Sequence, residues 1–135
     1  MSQASIRNAL ENALAAVAPA IDLVHENQEY APIADRPFLE VFIRFATPNN
    51  PTMGAGFYQE LGFMQVNVMF PLKAGTAEAA AQAQVIRDAF KRGKSFTDSG
   101  ITVQIDKTPE ISGGTVDGDH WKTVLRAPFH ADIFT

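Results

Sequence analysis

The sequence contains no cysteine, which excludes disulfide bonds, thiolate catalysis and zinc sites with sulfur ligands. It also lacks any apolar run approaching the roughly 20 residues of a membrane-spanning helix, so no membrane partner is expected. Basic residues are scarce, because 11 Lys and Arg oppose 15 Asp and Glu to give a net charge of −4. This balance argues against a general nucleic-acid or anionic-membrane surface. The 135 residues, 46% of them hydrophobic, predict a single folded domain over 1–135.

The negative charge is concentrated near the start of the chain. Residues 1–35 carry five acidic side chains against Arg7 alone, whereas the acids and bases of residues 36–135 balance. We define an acidic connection by Asp22, Glu26 and Glu29. We define a basic cluster by four side chains around the end of the second predicted helix: Arg87, Lys91, Arg92 and Lys94. The cluster is typical of a solvated helix terminus, but it also suits contact with the acidic connection of a neighbouring subunit.

Two helices are predicted from the spacing of apolar residues. In the first, over about residues 3–17, Ile6, Leu10 and Leu14 recur on one stripe, Ser2 is a suitable N-cap and Pro19 follows the end. The second begins after Gly75. Its expected buried stripe comprises Ala79, Ala83, Ile86 and Phe90, with Lys91 and Arg92 in the last turn.

Alternating residues predict the strands. Residues 37–46 and 61–70 each present one apolar face and one mixed face, which indicates an antiparallel ribbon, and a short strand is expected near residues 21–25. Residues 101–105 also alternate, and residues 117–120 are typical of a hairpin turn that leads into a long final strand. Pro128 indicates an edge or a bulge there. The predicted fold is α+β in the order α-β-β-α-β-β-β, with two helices on a mainly antiparallel or mixed sheet.

Three aromatic residues on the mixed strand faces are expected to be exposed and to supply apolar contact between subunits: Phe38, Phe42 and Phe63. Residues 47–60 form a long segment rich in Pro, Gly and Asn, which predicts a functional or mobile loop. Within it, Met53, Phe57 and Tyr58 are expected to become ordered against a partner protein.

Two small clusters allow an enzyme or a ligand-binding module as the alternative function. His130 and Asp132 share one face of the last strand, which permits an imidazole oriented by a carboxylate. Asp117, Asp119 and His120 place potential metal ligands in a turn, but the calcium-loop spacing is missing. We expect a solvated turn there, no catalytic residue, no bound metal and no cofactor.

The order of elements carries a resemblance to a known family. A first helix opening as Ile6-Arg7-Asn8-Ala9-Leu10, the strand segments 37–43 and 62–68, an alanine-rich helix and a terminal hairpin follow one another. This layout resembles the small tail terminator, or tail completion, proteins of long-tailed bacteriophages, and a related phage domain family of unassigned function. The resemblance covers nearly the whole chain and lends no catalytic residues.

The resemblance implies a ring, usually of six subunits, on the head-proximal end of the tail tube. The ring would end tube polymerisation and offer a surface for the head–tail connector. The expected partners are further copies of the chain, the tail tube protein and the connector, with DNA passing through the lumen without specific binding. An acidic wall suits such a channel, because basic walls would retain phosphates. The expected location is the virion tail, after assembly in the host cytoplasm. The isolated protein is expected to be monomeric at low concentration.

Overall fold

The computed structural model describes residues 2–19, 21–25, 37–51, 56–72 and 76–134, which form two helices and eight strands. The elements are, in order, α1 (Ser2–Val17), β1 (Asp22–Val24), β2 (Phe38–Phe45), β3 (Phe57–Pro71), α2 (Thr76–Ala89), β4 (Ser95–Asp98), β5 (Ile101–Ile105), β6 (Glu110–Ile111), β7 (Thr115–Asp117) and β8 (His120–Phe134). The predicted α+β class is confirmed. The strands outnumber those of the predicted order.

All eight strands belong to one sheet. Its order is β1-β2-β3-β8-β5-β4, and β6 and β7 also pair with β8. The β1–β2 pair is parallel and the other pairs are antiparallel, so the sheet is mixed. At its centre, β3 and β8 pair over 15 residues each, from Phe57 opposite Phe134 to Pro71 opposite His120. This long pair fixes the length of the molecule along the strand direction.

Both helices cover the same face of the sheet, which we call the inner face. The α1 stripe of Ile6, Leu10 and Leu14 is fully buried, as predicted, and α1 packs on β4 and β5. Helix α2 packs on β3 and β8 through the predicted buried stripe of Ala79, Ala83, Ile86 and Phe90. Because a 3.6-residue repeat places such positions on one side of a helix, each helix buries its apolar side in one common core.

The opposite face, which we call the outer face, carries the alternate residues of the central strands. Since residues paired across antiparallel strands point to the same side, the register assigns the members of this face. They include Glu40, Phe42 and Arg44 of β2, Leu61, Phe63, Gln65 and Asn67 of β3, and Val124, Arg126, Pro128 and His130 of β8. Within the described ranges, no helix packs on this face.

Two sequence-based predictions about strands are corrected. Pro128 lies inside β8, not at the edge of the sheet, and its carbonyl accepts a hydrogen bond from the Asp106 amide at 2.9 Å. The nitrogen of Pro128 faces the same side of β8, where the pairing with β5 has ended and the pairing with β6 has not begun. The absent N–H therefore removes no hydrogen bond between paired strands. The predicted loop 47–60 is shorter, because Phe57 and Tyr58 already belong to β3.

Candidate interaction surfaces

A chain of side-chain hydrogen bonds crosses the outer face from β8 to β2. Arg126 donates from Nη2 to Oε1 of Gln65 at 3.0 Å, and Gln65 donates from Nε2 to Oδ1 of Asn67 at 3.1 Å. Asn67 in turn donates from Nδ2 to Oε1 of Glu40 at 3.2 Å. The chain thus begins at a cation and ends at a carboxylate, which orients each amide between them.

Two aromatic rings lie beside this hydrogen-bond chain, and each has an arginine over it. The Arg126 guanidinium carbon is 5.2 Å from the centroid of the Phe63 ring, and that of Arg44 is 5.6 Å from the centroid of Phe42. Both rings are half-buried, while both arginines are exposed. Aromatic and arginine side chains dominate protein interfaces, so this part of the outer face has the composition of a contact surface.

Phe38 does not belong to that surface, and its predicted exposure is wrong. Its side chain is only 3% exposed and packs with Val24 and Met69 in a second small core. The His120 ring meets it edge-on, with the two centroids 5.0 Å apart. His120 lies 82 positions after Phe38 in the sequence, so the alternation of residues along β2 could not predict that its ring covers Phe38. Of the three predicted contact aromatics, Phe42 and Phe63 remain available.

The basic cluster lies where predicted along the chain, but its members are held differently. Arg87, in the last turn of α2, donates from Nε to the Pro109 carbonyl at 3.0 Å and is half-buried. The helix ends at Ala89, so Lys91 and Arg92 follow it. The prediction that these two residues lie in its last turn is wrong. Lys91, Arg92 and Lys94 are exposed in the connection that leads to β4.

The remaining predicted contact residues fall into two groups. Asp22 begins β1 at the sheet edge, next to Phe38 in register, whereas Glu26, Glu29 and Met53 lie outside the described residues. Phe57 and Tyr58 are strand residues. Tyr58 packs against the core, and Phe57 stacks on Phe134 with the ring centroids 5.1 Å apart.

The proposed pairing of His130 with Asp132 does not occur. Nδ1 of His130 contacts Oδ1 of Asp106, while Oδ1 of Asp132 accepts a hydrogen bond from Nε2 of Gln59 at 2.9 Å. Both acids therefore serve to tie neighbouring strands and connections together. His130 and Asp132 do line a small open cleft of about 180 Å³, but the two side chains are committed to different partners.

The turn residues Asp117, Asp119 and His120 have different surroundings. His120 is 3% exposed, against Phe38, whereas Asp117 forms an ion pair with Lys122 at 3.6 Å. All three line an open cleft of about 380 Å³. No group of three or more potential metal ligands occurs among the residues that the structure describes. In the same part of the chain, no helix is long and apolar enough to cross a membrane.

Sequence reasoning missed an exposed aromatic residue and an apolar cleft. Phe134 is 79% exposed, and its register opposite Phe57 places it on the outer face. A cleft of about 320 Å³ lies between α2 and the connection from β6 to β7. The adjacent Gly113 and Gly114 form part of its wall, and that pair was the available signal in the sequence.

A family comparison decides the broader assignment. The model of the phage tail terminator protein family matches residues 5–129, which is most of the chain. The protein belongs to this family. The tail terminator resemblance seen in the sequence is thereby confirmed, and family membership assigns the protein a structural role in a phage tail. No curated protein sequence matches the chain.

Solved structures share the fold of this tail terminator family member. One, whose printed name states no function, is 20% identical with a TM-score of 0.79, and the alignment covers 100% of this chain and 99% of that one. Another is described as the virion of a native gene transfer agent particle. It is 17% identical with a TM-score of 0.63, over 99% of this chain and 98% of that chain. At these identities the similarity establishes the architecture alone.

Proposed function

We propose that this protein closes the head-proximal end of a phage tail tube as a ring of six copies. The ring ends tube polymerisation and presents a new surface to the head–tail connector. The observation that carries this proposal is the family match over residues 5–129. The similarity to a chain of a gene transfer agent virion supports incorporation into a particle.

The two faces of the sheet suit a ring subunit. Helices α1 and α2 seal the inner face, so each copy folds around its own core. The outer face keeps half-buried Phe42 and Phe63 beside two arginines, and its amides are already oriented by the hydrogen-bond chain. A partner that covers the rings gains apolar burial without leaving these amides unpaired.

Charge supports a head-to-tail arrangement. In this proposal, the acidic connection of one subunit approaches the exposed bases that follow α2 in the next one. Each such rim pair contributes only about 0–1 kcal/mol, so charge sets orientation more than affinity. A heterologous contact of this kind closes into a ring when the rotation between subunits permits. The net charge of −4 also keeps a DNA channel from retaining phosphates.

The test is tail assembly with and without the protein. Tubes made in its absence should vary in length and fail to join heads, as seen by electron microscopy. Added wild-type protein should restore both properties, whereas a folded Phe63→Ser, Arg126→Glu variant should not. A matched Val85→Ser, Lys107→Glu variant, altered at exposed positions of α2 and of the connection from β5 to β6, should behave as wild type. Tubes of uniform length that join heads without the protein would contradict the proposed function.

A further inference from the structure

The central pair of strands ends in an exposed aromatic pair. Phe134, at the end of β8, is 79% exposed and stacks on Phe57, at the start of β3, with the centroids 5.1 Å apart. Phe57 is itself half-buried. The stack limits the directions that the Phe134 ring can take, so binding this ring costs less conformational entropy than binding a free side chain.

An apolar cleft lies at the other end of the same strand. It is walled by α2 through Ala80 and Ala83, by Ile111 and by the Trp121 indole. Its volume is about 320 Å³, and a cavity of about 150 Å³ is enough to hold benzene in another protein. The cleft therefore has room for a phenyl ring together with part of its backbone.

Two adjacent glycines, Gly113 and Gly114, form part of the cleft wall. Gly113 lines the cleft, and a Cβ added there would meet no atom within 4 Å, so a larger side chain at this position fits without displacing the fold. Val116, beside Trp121 in the register and 64% exposed, extends the apolar surface beyond the rim. The lining also includes the uncharged polar residues Gln84, Ser112 and Thr123, and the cleft is thus mainly apolar, with no charged residue among its walls.

We infer that Phe134 of one subunit inserts into the cleft between α2 and the β6–β7 connection of the next subunit. Phe134 and Trp121 are separated by 13 positions of extended strand, which is about 40 Å, and they point to opposite faces of the sheet. No subunit can fill its own cleft across that distance. A second copy supplies a phenyl group of the required size. Each subunit then offers its Phe134 to one neighbour and its cleft to the other, as a closed ring of subunits demands.

The inference rests on the ring proposed above and adds the contact that orients it. A phenylalanine side chain buries about 150–250 Å², well below the roughly 1,000 Å² of a stable interface. The insertion therefore fixes the register of neighbouring subunits, and the outer face must supply most of the remaining area. Association in dilute solution is accordingly weak, and it strengthens when a tube end aligns the copies.

Because the chain has no cysteine, paired cysteines report the contact directly. Asp132→Cys, two positions before Phe134 on the same face of β8, keeps the Phe134 ring in place. Combined with Ala80→Cys it should form disulfide-linked multimers under mild oxidation, at least ten times faster than Asp132→Cys combined with Val85→Cys. Val85 is an exposed residue of α2 outside the cleft lining. Each single variant should stop at dimers. Equal rates for the two pairs, even at high protein concentration, would overturn the inference.

A second measurement tests the contact through the strength of self-association. By sedimentation, Phe134→Ala and Gly113→Leu should each weaken self-association at least tenfold, and the double variant should be no weaker than either single one. Val85→Ala should change nothing. Additive losses would place Phe134 and the cleft in separate contacts and would overturn the inference.

The two proposals fail in different ways. Selective cross-linking by a protein that does not control tube length would leave the insertion standing and reject the proposed function. Normal tube closure by Phe134→Ala, together with unselective cross-linking, would reject the insertion and leave the proposed function standing. Loss of tube closure by Phe134→Ala without selective cross-linking would also reject the insertion, and would assign Phe134 to the tube protein instead.

Discussion

The backbone of Gly114 lies directly against the indole of Trp121, so close that a Cβ at position 114 would come within 2.1 Å of its Nε1 atom. Gly114→Ala should therefore displace Trp121 and lower the free energy of unfolding by about 1–3 kcal/mol. Trp121 is the single tryptophan, so its emission should shift to the red. Gly113→Ala, which meets no atom, is the matched control and should leave emission and melting temperature unchanged. Identical spectra for both variants would contradict the described packing.

The hydrogen-bond chain of the outer face makes Asn67 sensitive to an added charge. Its side chain is 6% exposed and donates to Glu40 while accepting from Gln65. Asn67→Asp removes the donor and places two carboxylates together, so a loss of about 1–3 kcal/mol is expected at neutral pH. The repulsion disappears when position 40 carries no charge, so combining Asn67→Asp with Glu40→Gln should recover most of this loss.

Chemical denaturation of the single and double variants at neutral pH measures this effect. Asn67→Leu removes the same hydrogen bonds without adding a charge, so Glu40→Gln should not relieve its loss of stability. An equal effect of Glu40→Gln on both Asn67 variants would show that the charge at position 40 does not act on position 67.

The corrected position of Phe38 can be tested against Phe42 on the same strand. Phe38→Ala empties a site that is 3% exposed, so it should cost about 3–5 kcal/mol and lower the melting temperature by more than about 10 °C. Phe42→Ala, on the half-buried part of the outer face, should cost about 1 kcal/mol and mainly impair assembly. Calorimetry of both proteins separates the two roles, and equal losses would place Phe38 on the surface after all.

Local patterns predicted the helices and the longest strands because each of these elements buries one regular stripe. The alternation of Leu39, Val41 and Ile43 and the spacing of Ile6 and Leu10 are properties of neighbouring residues, and the core confirms them. Contacts between distant segments were beyond such patterns. Two such contacts are that of His120 with Phe38 and that of Asp106 with His130. Both depend on the register of paired strands, which local periodicity does not fix.

Strand β4 was missed for a different reason. Ser95–Asp98 is short and holds a single apolar residue, Phe96, so it shows no apolar alternation. The turn that follows it is the part of this hairpin that the sequence indicates. Ser99 and Gly100 both adopt positive φ, as a two-residue hairpin turn requires, and Ser-Gly is compatible with that turn. The start of β3 was missed because Phe57 and Tyr58 follow directly after a segment of turn-forming residues.

The proposed charge contact between subunits gives the last prediction. Lys91 lies 3.5 Å from Asp88, with both side chains at least half exposed, so this pair adds little to stability. Arg87 is different, since it holds the Pro109 carbonyl and should not be altered in a test of assembly. The variant of choice therefore changes the exposed bases beyond the helix and leaves Arg87 in place.

Lys91→Glu combined with Arg92→Glu should leave the fold intact, with a melting temperature within a few degrees of wild type, because both side chains are exposed. It should block tail closure by opposing the acidic connection of the neighbouring subunit. Salt should then strengthen the remaining self-association instead of weakening it, because it screens the new repulsion. A companion reversal, Glu26→Lys with Glu29→Lys, should partly restore closure in the same chain, since the paired signs are again opposite. Lys107→Glu alters an exposed base elsewhere and should close tails normally. Normal closure by the first variant would eliminate this contact while leaving the terminator assignment in place, because that assignment rests on the family match and not on these charges.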